Sequence, residues 1–319
     1  MIKRKIAIAV LLLCLCIRLM PFGAQAITIA DAVEPIIPQK ECSLTISYCY
    51  GDIAFSDVQV KLYKIADVSS ACAYTLTQPF VRSGLILNGI QSAGEWNVIR
   101  STLEAYILAY DVDYDAVSVT DSNGQVRFDA LGTGMYLATV SHITHGDQLY
   151  SFSSALVAVP GLEDDGRWKY DVSVNAKGEA LPPIEPDEKI EFKVLKLWKG
   201  EANKNDRPKS VEIEIFRNGI SCETVILSEE NNWSYTWLSS DDGSSWSVVE
   251  RNVPEGYTMT VDVRDTCFTI TNTYNSTDPD DPIPPPPTGD TSNVMLYVLI
   301  MMVSGIILIM LGLTRKRTR

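Results

Sequence analysis

The chain has 319 residues, 46% of them apolar, and a formal net charge of -13 from 27 basic and 40 acidic side chains. So acidic a surface repels phosphate backbones and argues against nucleic-acid partners. With two histidines, no Cys-x-x-C and no Ser/His/Asp or Cys/His arrangement, nothing points to a metal, a cofactor or a hydrolytic centre. In chain order, Lys3, Arg4 and Lys5 precede an apolar stretch over residues 6–17, and Ala24-Gln25-Ala26 places small residues at cleavage spacing. Residues 1–26 therefore read as a secretory signal peptide, with Arg18 able to shift the cut by a few positions. Eight of the 27 basic residues lie in this segment and the C-terminal tail, so 19 remain against 40 acidic, a balance of -21. Of seven cysteines, five stay after signal removal (Cys42, Cys49, Cys72, Cys222, Cys267), an odd number that rules out a fully paired intramolecular framework.

Residues 27–40 read as a leader and 42–177 as a first folded domain. Residues 43–48, 58–63 and 125–128 alternate apolar and polar side chains with period two, as half-buried strands do. The third follows the turn Asp121-Ser122-Asn123-Gly124, and 135–140 follows another glycine-rich turn. Only 99–110 has helical spacing, with Ile99, Leu103, Tyr106, Ile107 and Tyr110 on one side. The expectation is an all-β domain with one helical excursion, a sandwich of short strands. His142 and His145 stand in a polar, loop-like stretch with too few ligand-type neighbours for a metal site.

Residues 120–137 and 168–177 resemble the N-terminal domain of sortase-assembled pilins. The second stretch, Trp168-Lys169-Tyr170-Asp171-Val172-Ser173-Val174-Asn175-Ala176-Lys177, is similar to the pilin motif in its Trp, two Val and Lys, with Asn175-Ala176 in place of Tyr-Pro. The resemblance implies that Lys177 attacks the Thr-linked acyl-enzyme of the next subunit and joins pilins covalently. Parity supports access to it. Trp168, Tyr170, Val172 and Val174 share one face, while Lys177 ends the strand on the other. Residues 43–48 carry no lysine, so no internal cross-link is expected in this domain. Residues 178–189, centred on Leu181-Pro182-Pro183-Ile184-Glu185-Pro186, read as a proline-stiffened linker.

The second domain spans 190–274. Alternation along its first strand places Phe192, Val194, Lys196 and Trp198 on one face, so a lysine sits in an apolar row. Glu250 lines up with Trp246 and Val248, and Asn272 with Phe268, Ile270 and Tyr274. Three inward polar groups left unpaired would be prohibitive, so the three should meet. Desolvation favours a neutral lysine amine, which is a nucleophile, and a protonated glutamic acid, which can polarise the amide carbonyl. Attack of Lys196 on Asn272 would expel ammonia and leave an isopeptide bond between first and last strands, with proximity supplying most of the acceleration. A buried salt bridge with a hydrogen-bonded asparagine and no covalent bond is the alternative.

Lys196-Leu197-Trp198, Arg207-Pro208-Lys209-Ser210-Val211-Glu212-Ile213, Asn231-Asn232-Trp233-Ser234-Tyr235-Thr236-Trp237, Val253-Pro254-Glu255-Gly256-Tyr257 and Phe268-Thr269-Ile270-Thr271-Asn272-Thr273-Tyr274 resemble, in order, the successive motifs of Cna B-type domains. That resemblance implies an immunoglobulin-like β-sandwich locked by a Lys–Asn isopeptide bond, with Lys196 as amine, Asn272 as amide and Glu250 as the helping acid.

Residues 275–287 form an acidic, then proline-rich stalk. Beyond it, Pro285-Pro286-Pro287-Thr288-Gly289 precedes an apolar run over 294–313, long enough for a membrane helix, and the basic residues Arg315, Lys316, Arg317 and Arg319. This order of parts (288–319 with the preceding prolines) resembles the cell-wall sorting signal of Gram-positive surface proteins. It implies sortase recognition around Pro286 and cleavage between Thr288 and Gly289; Pro285 stands where the family has Leu, which leaves the sortase class open. The whole chain thus reads as all-β, two tandem immunoglobulin-like sandwiches between a signal peptide and a transmembrane sorting helix. The function expected is a structural or adhesive protein of a Gram-positive cell surface, not an enzyme beyond its own single-turnover cross-link. Its partners would be sortase, peptidoglycan or other pilin subunits, the membrane before cleavage, and a host or matrix ligand. A monomeric anchored protein binding such a ligand, or a surface enzyme, are the alternatives.

Overall fold

The computed structural model describes residues 34–38, 40–163, 165–183, 188–200 and 207–274. The signal-peptide segment, the stalk, and the sorting signal with Pro286, Thr288, Gly289 and the 294–313 run lie outside the described residues. Among the described residues no helix is long and apolar enough to cross a membrane.

The first half runs β1 (Cys42–Ser47), β2 (Cys49–Tyr50), β3 (Ile53–Ala54), β4 (Gln59–Val68), β5 (Tyr74–Leu76), helix α1 (Ala93–Tyr110), β6 (Ala116–Val119), β7 (Gln125–Leu131), β8 (Gly134–Thr139), β9 (Ile143–His145), β10 (Gln148–Phe152), β11 (Ala155–Val159), β12 (Gly161–Leu162), β13 (Trp168–Lys169), β14 (Asp171–Asn175) and β15 (Gly178–Ala180). The second half runs β16 (Lys189–Lys199), β17 (Ser210–Arg217), β18 (Ile220–Ser228), β19 (Ser234–Ser240), β20 (Trp246–Glu250), β21 (Tyr257–Arg264) and β22 (Cys267–Tyr274). The protein is mostly β, as its alternating patterns imply.

In the first half β1 lies between β14, parallel to it, and β7, antiparallel. That register sets Leu44 beside Val172 and Phe128, and Ile46 beside Val174 and Val126, one apolar row per side-chain period. The row faces the sheet β11-β8-β4-β5, whose Val60, Leu62, Tyr136 and Ala138 share its core. The opposite face of that sheet is buried as well. Tyr63, Ile65, Met135 and Leu137 pack under Ile99, Leu103 and Tyr106 of α1. A strand covered on both faces loses its alternation, which is why β8 is buried at five successive positions. The pattern of Gly178–Ala180 extends the first half past Lys177, because β15 pairs with β10 and Leu181 N–H donates to the Leu149 carbonyl.

A capping box starts α1: Glu95 N–H donates to Ser92 Oγ, and Ser92 N–H donates to the Glu95 carboxylate. The helix begins six residues before the periodic stretch seen in the sequence, and it buries a second face. Ala105 and Ala109 sit in the core of the second half with Ile213, Val248 and Val261. Val261 N–H, on the outer strand β21, donates to Thr102 Oγ1 at 2.8 Å in a buried bond. Tyr110 Oη donates to the Arg251 carbonyl at 2.8 Å. Small side chains let the helix approach closely, and its hydroxyl satisfies an edge-strand N–H that would otherwise lack a partner. His142 adds a further contact, its Nδ1 lying 3.0 Å from the Gly243 carbonyl oxygen.

The second half packs a four-stranded sheet, β19-β16-β22-β21, on a three-stranded one, β18-β17-β20. Its first strand, β16, runs parallel to its last, β22, and antiparallel to β19. Val194, Ile213, Ile215, Val248, Phe268 and Ile270 fill the space between the sheets. The five cysteines from Cys42 to Cys267 carry no disulfide among the described residues.

Candidate cross-linking site and acceptor lysine

Three strands deliver the polar groups. Lys196 lies on β16 in the row of Phe192 and Val194, Glu250 ends β20 in the facing sheet, and Asn272 lies on β22. In the β16–β22 register Lys196 stands beside Ile270 and Trp198 beside Asn272, so lysine and asparagine share a face one side-chain step apart. A lysine stem is long enough to cover that step. The structure brings all three together. Lys196 Nζ lies 3.0 Å from Glu250 Oε2, with both side chains fully buried, and Asn272 Nδ2 donates to Glu250 Oε1 at 3.0 Å.

Burial pushes the Glu250 carboxyl above the ordinary glutamate range, opposed by Lys196 and by the hydrogen bonds from Lys196 and Asn272. Taking two opposite charges out of water is expensive even when they pair. Passing one proton along the Lys196–Glu250 contact removes both charges and leaves an amine and a carboxylic acid. Asn272 Oδ1 is buried and has no hydrogen-bond partner among the described residues. Turning the amide over sets Oδ1 against the carboxyl, whose O–H would then donate to it and polarise Cγ. The arrangement thus holds a nucleophile, an acid and an electrophile in contact, with no water needed.

The raised carboxyl has a consequence for stability. Its folded pKa lies above its unfolded one, so its contribution is complete below the ordinary glutamate range and is lost as pH rises through the folded value. Lys196→Met removes the neighbour that opposes the shift. That variant is expected to lose urea resistance steadily as pH rises above the ordinary glutamate range, while Lys196→Met with Glu250→Gln stays level. A flat profile for the single variant would contradict an un-ionised Glu250.

Among the described residues of the first half, no buried lysine faces a carboxylate and a carboxamide. Its buried polar side chains are Ser43, Ser101, Thr102, Thr120 and Thr133, without lysine, carboxylate or carboxamide. Lys177 sits elsewhere, exposed, between β14 and β15. Its flanks are pinned: Ala176 N–H donates to the Ser47 carbonyl and Ser153 N–H to the Lys177 carbonyl, both at 2.9 Å. Side-chain parity runs as the sequence implied, with Val172 buried, Trp168, Tyr170 and Val174 half-buried and Lys177 outward. Trp168 and Tyr170 also hold the leader. Trp168 Nε1 donates to the Glu34 carbonyl at 2.5 Å, Ile37 N–H donates to Tyr170 Oη at 2.9 Å, and Lys40 Nζ lies 3.7 Å from the Tyr170 ring centre. His145 closes β9 edge-on to Phe55 and joins no cluster of metal-ligating groups among the described residues.

Sequence reasoning missed the rings around the Lys196–Glu250–Asn272 cluster. Trp198 lies with its ring centre 4.5 Å from Lys196 Nζ, in contact with Trp233 and Tyr257. The inward parity of Trp198 was legible; its placement over the lysine needed the fold.

Comparison with known proteins places this half of the chain. Residues 192–273 match the family model described as Cna protein B-type domain. The collagen adhesin of Staphylococcus aureus is 34% identical over 100 residues, which are 29% of this chain and only 8% of that protein. A single B repeat unit of the S. aureus collagen binding surface protein superposes with a TM-score of 0.26 at 18% identity, covering 74% of this chain and 99% of the repeat. The Corynebacterium diphtheriae SpaA pilin, solved in complex with its signal peptide, gives 0.29 at 19% identity over 45% of this chain and all of that one (100%). The full-length major pilin SpaD of the same organism gives 0.29 at 12% identity over 75% of this chain and 66% of that one. Over residues 192–273, then, the chain carries a Cna B-type domain.

Proposed function

We propose that this chain is an exported structural protein of a Gram-positive cell surface, held there by covalent bonds at three levels. Inside the second sandwich, Lys196 condenses with Asn272 under the influence of Glu250. At the C-terminus, sortase cuts between Thr288 and Gly289 and transfers Thr288 to an amine. Between copies, Lys177 is that amine, which makes the chain a pilin subunit; peptidoglycan is the acceptor when the chain stands alone. The immunoglobulin-like form of both sandwiches, the signal peptide over 1–26, the stalk over 275–287 and the membrane helix over 294–313 belong to the same reading.

The observation that carries it is the buried contact of Lys196, Glu250 and Asn272 across the first and last strands of the second sandwich. A solvated surface lysine would be unremarkable there, but a fully buried one is retained at a cost that the cross-link explains. The exposed and backbone-pinned Lys177 supports the polymerising role. Coexpression of the full chain with its sortase is expected to yield a ladder of high-mass species that survives boiling in detergent. Lys177→Ala should collapse the ladder to a single band while leaving wall attachment intact. A ladder that persists in that variant would assign the acceptor to another lysine.

A further inference from the structure

The cross-linking site is closed to water by rings. Trp198 is the register partner of Asn272 and lies over Lys196, its ring centre 4.5 Å from Nζ, so one indole stands beside both reacting residues. Trp233 and Tyr257 brace it edge-on, each at 5.3 Å, and Tyr274 braces Tyr257 at 5.2 Å. Trp198, Trp233 and Tyr257 are each half-exposed, whereas Lys196 and Glu250 side chains are fully buried and Asn272 is 0% exposed. Among the described residues, these three rings therefore stand between solvent and the site.

Two properties of the indole do nothing for amine attack. A ring face attracts a cation, which favours the ammonium form over the nucleophilic amine. The Trp198 N–H is buried and has no hydrogen-bond partner among the described residues. What the ring does supply is cover, and the chemistry needs it. Once Glu250 polarises the Asn272 carbonyl, Cγ is open to any nucleophile within reach. If Lys196 attacks, an Nζ–Cγ bond forms, the Cγ–Nδ2 bond breaks, and Glu250 relays a proton from Nζ to the departing ammonia. If water attacks, an O–Cγ bond forms, the same Cγ–Nδ2 bond breaks, ammonia again departs, and position 272 becomes a carboxylic acid that ties nothing together.

We infer that Trp198, braced by Trp233 and Tyr257, is the positioning residue that keeps water from the polarised Asn272, so that its amide reacts with Lys196 and is not hydrolysed. The inference rests on the cross-linking reading of this site. Its test compares refolded full-length chains by peptide mass at position 272, which distinguishes amide, cross-link and acid. The parent and Trp198→Phe, which restores a ring, are expected to be cross-linked throughout. Trp198→Ala should lose most of its cross-link and gain acid at 272. Lys196→Met should keep the amide, while Lys196→Met combined with Trp198→Ala should convert it to acid. Trp198→Leu, which retains apolar packing but leaves a gap, repeats the comparison if the alanine chain does not fold. The inference is overturned if the folded double variant keeps its amide, or if the chain with Trp198→Ala cross-links completely with no acid formed. A parent that retains its ammonia instead refutes the cross-link itself, and the Lys196→Met pair still reports on water entry.

Discussion

Asn272→Ala is expected to lower the unfolding temperature of the protein by roughly 10–20 °C. A bond between Lys196 and Asn272 closes nearly the whole second sandwich into one loop. By analogy with disulfides closing loops of that size, the constraint on the unfolded chain is worth about 4–5 kcal/mol. Each kcal/mol moves the midpoint of a domain this large by about 2–4 °C. The alanine variant keeps Lys196 and Glu250 as partners 3.0 Å apart, so the change reports mainly the lost covalent bond. Lys196→Met should fall further at neutral pH, because it also leaves the buried Glu250 carboxyl without its Lys196 partner, at about 3–5 kcal/mol. Calorimetry of the three chains gives the order directly. An Asn272→Ala chain that melts with the parent would mean that no such bond stabilises the fold.

The second large effect concerns α1, which belongs to both cores at once. Ala105 and Ala109 are 1% and 2% exposed between the helix and the second sandwich. Ala105→Glu would drive a carboxylate into that apolar seam, a loss of about 3–5 kcal/mol. The expected result is more than lower stability. The two halves, joined through Thr102, Tyr110 and the alanine face, should cease to unfold together, so one calorimetric transition becomes two. Thr102→Val is the milder version. It removes the acceptor of the Val261 N–H and should raise hydrogen exchange at that amide, at about 1–3 kcal/mol. If the Ala105→Glu chain still melts in one transition at the parent temperature, α1 is not the clamp.

How much of this was legible depends on whether the signal is local. Strand β16 could be read because Phe192, Val194, Lys196 and Trp198 follow the two-residue period, and a lysine in an apolar row has few explanations. Glu250 and Asn272 were readable for the same reason, each standing in line with aromatic or aliphatic neighbours. The second face of α1 was not readable. Besides the partly buried Leu108, its contact residues are Thr102, Ala105 and Ala109, whose small side chains carry little hydrophobic signal, while Ile99, Leu103 and Tyr106 announce the first face. The continuous burial of β8 has the same origin, since α1 covers what would be its polar side. The parallel pairings of β1 with β14 and β16 with β22 join residues more than seventy positions apart, and no turn chemistry encodes them. The seating of the leader on Trp168 and Tyr170 likewise depends on groups that meet only in three dimensions.

Force gives the parts a common purpose. On the proposed reading, a chain pulled between a wall attachment and its outer end would be loaded along its strands. The proposed covalent tie between the first and last strands of the second sandwich would bypass the hydrogen-bonded ladder that would otherwise shear. The central claim is therefore the Lys196–Asn272 bond, and protease digestion of the purified full-length chain followed by peptide mass analysis addresses it most directly. The result expected is a branched peptide joining the segment around Lys196 to the segment around Asn272, one ammonia lighter than their sum and absent from a chain carrying Glu250→Ala. Recovery of the two segments as separate, unmodified peptides from the folded parent would contradict it.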